Sequence, residues 1–213
     1  MIPLLHDLRG ERVLVFGGGP VGARRARTFA EEAAVVVVSP AFADRSFGDA
    51  SLVRARPAPE DVAGWVGRVA PALVVAATDD EAVNDAAASA ARERGLPYNR
   101  ADRSGGRDHR NVAVPSIVRD GDVVVGLSTG SPALTRELRK RVEGEVEGAG
   151  ELASLTARLR EDLREEYGPE ERREALRAVV SSERVWKALG SGDAKAKQIV
   201  VEIVSAQLGD SPW

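Results

Sequence analysis

Six residues near the N-terminus, Gly17-Gly18-Gly19-Pro20-Val21-Gly22, carry the spacing G-x-G-x-x-G. What such a turn can do follows from the side chains it lacks. Gly17 permits a tight turn, Gly19 lets an incoming group approach the main chain with no Cβ in the way, and Gly22 lets the following helix pack closely on the preceding strand. Pro20 and Val21 open that helix, and the missing N–H of proline is harmless in a first turn. The remaining N–H groups and the positive end of the helix dipole then converge on one point, which suits a phosphate. Short apolar runs at residues 13–16 and 35–38 flank the turn. The glycines therefore stand in the strand–turn–helix–strand setting that separates a dinucleotide site from an ordinary glycine turn.

Two further groups fall at strand ends on the same side of such a sheet. Ser39-Pro40-Ala41-Phe42 closes the second strand, where a carboxylate usually takes the ribose hydroxyls of NAD. Ser39 can still exchange a hydrogen bond there, and Arg45 lies nearby for a 2′-phosphate. The residues themselves do not decide between NAD and NADP, and NAD is the expected cofactor. Thr78 and Asp79 follow a strand at residues 73–77, at the edge where open parallel sheets bind ligands. Their plainer reading is a helix N-cap ahead of Glu81, and both roles are compatible.

The elements that must position these groups alternate. Strands are expected at residues 13–16, 35–38, 52–55, 73–77 and 96–99, with helices over 20–32 and 81–94, which is the pattern of a parallel sheet with right-handed crossovers. Residues 100–111 are polar and aperiodic and read as a loop. Residues 112–118 and 122–127 read as a hairpin across Asp120-Gly121, followed by a charged helix over 133–147. Beyond Gly148 the leucines at 152, 155, 159 and 163 keep helical spacing, and further helices are expected over 169–180, 182–189 and 195–208. The chain is thus α/β, with a Rossmann-type domain over 1–111, a hairpin-plus-helix segment over 112–147 and a helical domain over 148–213.

Composition narrows the function. With 30 basic against 33 acidic residues the net charge is −3, which argues against a nucleic-acid partner. There is no cysteine and there are two histidines, so no metal site is expected and His109 reads as a surface imidazole. No apolar run approaches the ~20 residues that span a bilayer, and no cleavable leader is evident, so no membrane partner and a cytoplasmic protein are expected.

In their order along the chain, several segments resemble the precorrin-2 dehydrogenases, including the dehydrogenase module of siroheme synthase. These segments are Pro3-Leu4 with Asp7-Leu8-Arg9-Gly10, the glycine turn, Val38-Ser39-Pro40, Ala76-Ala77-Thr78-Asp79-Asp80, Asn84, Asn99 with Asp102, Pro115-Ser116-Ile117, and Leu127-Ser128-Thr129-Gly130. The match runs over roughly residues 1–145, with the helical tail alike only in character. The resemblance implies a homodimer, with 112–147 as its dimerisation segment, that oxidises precorrin-2, a tetrapyrrole, to sirohydrochlorin with NAD, and that in some members also inserts iron. It assigns Asp102, in the segment Asn99-Arg100-Ala101-Asp102, as the catalytic residue. Asn99, Arg100, Arg103, Ser128 and Thr129 fall on the expected substrate side. The substrate bears eight carboxylates, which the arginines at 100, 103, 107, 110 and 119 suit collectively, although four acids share their segment and each arginine alone reads equally well as a salt-bridged surface residue. On the residues alone, Asp102 reads equally well as a general base or as a loop carboxylate paired with Arg100 or Arg103. Two other functions remain compatible with the sequence: a non-catalytic module that senses NAD(P), and a dehydrogenase of another small acidic substrate.

Overall fold

A computed structural model describes residues 3–102, 110–189 and 193–209. The chain divides into two compact units, Met1–Val114 and Pro115–Trp213.

The first unit is built on a five-stranded parallel sheet, β1 (Arg12–Phe16), β2 (Ala34–Ser39), β3 (Ser51–Arg54), β4 (Leu73–Ala76) and β5 (Tyr98–Arg100), in the spatial order β3-β2-β1-β4-β5. Residues 13–16 are buried on both faces because helices cover both. On one side Leu14, Phe16, Val74, Ala76 and Tyr98 pack with Val62 and Val66 of α2 (Val62–Val69) and Val83 and Ala87 of α3 (Glu81–Glu93). On the other, Val13, Val15, Val37 and Val75 pack with Ala23 and Ala26 of α1 (Pro20–Phe29) and with Phe47. Small residues at the contacts let the helices lie close to the sheet, which is how a core with so few aromatics closes.

Two expectations are corrected. Residues 55–72 carry no predicted helix, yet Pro59–Asp61 forms a 3-10 turn that runs into α2. Val62, Trp65, Val66 and Val69 do keep the spacing of one helical face and pack on the sheet core, but the run is 8 residues long, holds Gly64 and Gly67 and follows two prolines. The hairpin begins at Ser116 rather than residue 112. Pro115 has no N–H to give a ladder, and Val112 instead donates its N–H to the Tyr98 carbonyl at 2.8 Å, extending the edge of the parallel sheet by one bridge.

In the second unit β6 (Ser116–Asp120) pairs antiparallel with β7 (Val123–Leu127), and Gly121 adopts the positive φ of +53° that the turn requires. α4 (Pro132–Glu145) follows, then α5 (Ala149–Asp162), α6 (Pro169–Val180), α7 (Glu183–Leu189) and α8 (Asp193–Leu208). The leucines at 152, 155, 159 and 163 bury against Ala175, Val179, Val185, Val200 and Val204. A Cβ on Gly150 would stand 2.4 Å from the Asp120 carbonyl oxygen, so the hairpin turn rests directly on the start of α5. The hairpin and the helical tail thus share one compact unit.

Leu14 is fully buried in the centre of the sheet. Replacement by alanine is expected to cost about 2–5 kcal/mol in urea-induced unfolding; a loss under ~1 kcal/mol would show that this strand is not packed as described.

Candidate active site

The glycine turn leaves β1 at its carboxyl end, and its close fit has identifiable partners. Gly17, at φ +114°, sits so near β4 that a Cβ would lie 2.3 Å from the Ala77 carbonyl oxygen. At Gly18 a Cβ would meet the Ala41 oxygen at 2.2 Å, and at Gly22 the Gly17 oxygen at 2.0 Å. Gly19 differs: nothing lies within 4 Å of the place its Cβ would take. Internal packing thus requires the glycines at 17, 18 and 22, while the one at 19 keeps space clear outside the main chain. Pro20 and Val21 begin α1 with no side-chain cap and no acidic residue in the first turn, so its free N–H groups are offered outward with an uncompensated dipole. These features fit the diphosphate of a dinucleotide.

Next to this turn lies the end of β2. Ser39 is buried and donates its hydroxyl to the Ala41 carbonyl at 2.7 Å, which leaves its oxygen lone pairs as the means of holding a ribose hydroxyl. Pro40 is exposed and Phe42 half-buried, with the Phe42 ring packed edge-to-face on Phe47. Arg54, in register with Ser39, donates to the Pro40 carbonyl at 3.1 Å and stacks its guanidinium over the Phe42 ring at 5.7 Å. The sequence reading passed over Arg54 because the strand neighbour of Ser39 cannot be known before the pairing register is.

At the end of β4, Thr78 and Asp79 do not cap α3. Asp80 is the cap, accepting the N–H groups of Ala82 and Val83. Thr78 is bound instead to Asn84, which is 1% exposed: the Asn84 Oδ1 accepts the Thr78 N–H at 3.1 Å and its hydroxyl at 2.8 Å, and the Asn84 amide donates to the Thr78 carbonyl at 2.9 Å. Asn84 also acts on the carboxylate of Asp102, favouring its ionised form with a smaller effect than Arg100. Asp79 is exposed.

Strand alternation splits the Asn-x-x-Asp segment across the sheet. Asn99 pairs with Val75, on the face covered by α1, and donates to the Val112 carbonyl at 2.8 Å; its own Oδ1 is buried without a partner. Arg100 pairs with Ala76, on the face covered by α3. Its side chain is 6% exposed, and it does not present itself to a ligand carboxylate: Nε and Nη2 donate to the two oxygens of Asp102 at 2.8 and 2.6 Å, and Nη1 donates to Asp85. Asp102 follows the sheet's carboxyl edge as an open residue whose side chain keeps 19% exposure. The Arg100 hydrogen bonds hold its carboxyl below the usual carboxylate range, against the opposing effect of burial, and Asp102 in turn raises Arg100. Arg103 and His109 lie outside the described residues. In the second unit, Ser128 is exposed, whereas Thr129 is half-buried and shares its hydroxyl with Ser131 and Thr135 ahead of α4. Among the described residues, no group of His, Asp and Glu could hold a metal ion.

A parallel sheet in this order, with a glycine turn at the end of its central strand, defines an NAD(P)-binding domain of the Rossmann class. A family model described as NAD(P)-binding matches residues 4–116. A precorrin-2 dehydrogenase of Methanosarcina barkeri is 32% identical over 99% of this chain and 96% of its own length. Siroheme synthases of Methylococcus capsulatus and Azotobacter vinelandii are 36% and 37% identical over 67% of this chain, which spans 30% of their length. In fold, the solved structure of SirC, a precorrin-2 dehydrogenase, matches 95% of this chain and 98% of its own with a TM-score of 0.68 at 23% identity. The chain belongs to the precorrin-2 dehydrogenase family.

The glycines separate folding from binding. Gly22→Ala is expected to lose about 1–3 kcal/mol of stability, because its new carbon has only a carbonyl oxygen to meet. Gly19→Ala should keep the parent melting temperature and bind NAD about tenfold or more weakly; calorimetry of both variants checks the contrast, and a destabilised Gly19→Ala with normal NAD affinity would contradict it. Because the carboxyl of Asp102 is lowered by folding, its contribution to stability is full above the ordinary carboxylate value and lost as pH falls through the lowered one. The stability difference between the parent and Asp102→Asn should therefore shrink on acidification, as denaturation at several pH values would record; a difference independent of pH would contradict the ion pair.

Proposed function

We propose that this protein oxidises precorrin-2 to sirohydrochlorin with NAD, and that Asp102 is the catalytic residue. The carrying observation is the position of that carboxylate: it follows β5, next in the sheet to β4, whose end touches Gly17. The full-length relative named a precorrin-2 dehydrogenase supports the choice of substrate.

The oxidation removes one hydride and one proton from the macrocycle and leaves a new double bond. NAD, when bound along the turn at Gly17, Gly19 and Gly22, supplies the hydride acceptor. The task of Asp102 is the proton. A carboxylate held below its usual range is a weak base, and a weak base suffices here: once the hydride has left, the macrocycle is cationic and the proton to be lost is acidic. An ionised Asp102 also stabilises that positive charge before the proton moves. Asn84, bonded to Thr78 at the end of β4, also favours the ionised form of Asp102. Ser39, Pro40, Ala41 and Phe42 are assigned to the adenosine half of the cofactor, and Thr78 and Asp79 to its nicotinamide side. Asn99 is assigned to the substrate on the strength of its unpaired Oδ1. Arg103, Ser128 and Thr129 are proposed to face the substrate's carboxylates.

The protein is further proposed to act as a cytoplasmic homodimer. No described helix is long and apolar enough to cross a membrane. In the second unit the β6–β7 ribbon buries one residue, Val118, and α4 buries none, while Leu134 is half exposed. A two-stranded ribbon is marginal without a covering layer, and a second copy of the chain supplies one.

Incubation with precorrin-2 and NAD is expected to give sirohydrochlorin absorbance and one NADH per product. Asp102→Ala should abolish turnover while NAD affinity stays within about twofold of the parent. Turnover by that variant, or no reaction from the parent, would refute the assignment. Light scattering should return twice the chain mass, and a monomer that turns over at the full rate would dispose of the dimer.

A further inference from the structure

We infer that Arg100 is the positioning residue of the reaction, holding Asp102 as an oriented, ionised carboxylate rather than binding substrate. The inference rests on the reading of Asp102 as the base.

The three charges are graded in depth. The Arg100 side chain is 6% exposed, that of Asp102 is 19% exposed and that of Asp85 is 56% exposed. The cation is therefore the buried anchor, and the carboxylates are its outer partners. A guanidinium is planar and donates from a rigid fork, so two parallel bonds to Asp102 fix both the place and the plane of the carboxylate. With one lone pair of each oxygen taken by the fork, the others face away from it, and that is the direction left for a substrate proton. The third arm runs to Asp85 on α3 and stops the guanidinium from following Asp102 outward. Asn84, on the same helix, adds a smaller effect that favours the ionised Asp102.

Among the described residues, the groups bearing on Asp102 are Arg100 from β5 and the uncharged Asn84 from α3, with Asp85 acting on Arg100. Arg100 has the largest effect of these, so its removal moves the protonation of Asp102 as well as its position. A free carboxylate on a chain end has neither a fixed plane nor a guarantee of staying ionised as substrate covers it. Two residues earlier, at the end of β5, Arg100 supplies both.

The test uses the full-length protein, NAD and precorrin-2. Arg100→Met is expected to lower kcat about tenfold to a hundredfold, the loss typical of a misplaced reacting group. Its NAD affinity should stay within about twofold of the parent. The acid limb of its kcat profile should move to higher pH. Arg100→Lys keeps the charge without the fork, so it should restore the acid limb but only part of kcat. Should Arg100→Met fail to fold, Arg100→Lys and Asp85→Asn carry the test, both expected to lower kcat at unchanged NAD affinity. A parental kcat and acid limb in Arg100→Met, or in the two substitute variants, would overturn the inference. So would a loss of NAD binding equal to the loss of rate, which marks a merely structural residue. The parent reading fails separately: if Asp102→Asn turns over normally, the base is elsewhere whatever Arg100 does.

Discussion

A carbon atom cannot be added at Gly17, Gly18 or Gly22 without being driven into a carbonyl oxygen. The rest of the first unit depends on that exclusion. Because Gly22 carries no side chain, α1 starts within contact of the turn that precedes it. Because Gly17 carries none, that turn lies against the end of β4, which leads into Thr78 and the helix that carries Asn84. A bulkier turn would move the first-turn N–H groups away from the end of β4. The glycines set a distance within the fold as well as a shape for a phosphate.

The second organising feature is a division of labour between the faces of one short strand. β5 is three residues long, and its alternation sends Tyr98 and Arg100 towards α3 and Asn99 towards α1. On the α3 face Tyr98 is ordinary core, and two residues on a cation has been taken almost wholly out of water and matched to two acids; on the α1 face Asn99 gives its amide to the Val112 carbonyl. Burying a charge is costly unless its hydrogen-bonding capacity is used, and here three guanidinium nitrogens are engaged. The electrostatics of the site are thus established by the protein's own ion pairs.

Much of this was legible from residue order, and the exceptions have physical causes. The glycine turn, its flanking strands and the helix after Asp80 announce themselves through local chemistry: missing side chains, continuous apolar runs and an acidic cap. α2 did not, because its apolar face of Val62, Trp65, Val66 and Val69 spans only 8 residues, is interrupted by two glycines, and rests on a sheet that the sequence does not display. The cap was misplaced by one residue or two for a related reason, since Thr78, Asp79 and Asp80 are all competent caps and only the buried Asn84 draws Thr78 away. Arg100 read equally well as a substrate ligand or an ion-pair partner. Asp85 decides that question from fifteen residues away, through strand register and the helix that covers it.

The position of β1 has a consequence for how the protein comes into being. It is the first strand made and the middle strand of the finished sheet, with β2 on one side and β4 on the other. On the ribosome, residues 13–16 gain their first neighbour within about two dozen residues of synthesis but wait for residue 76 before the other edge is occupied. For that interval a strand with no polar side chain from Val13 to Phe16 offers bare backbone to whatever is nearby, which is the state from which parallel sheets aggregate. Glu11 and Arg12 place charges at its entrance, the kind of flank that lowers that hazard for an apolar strand.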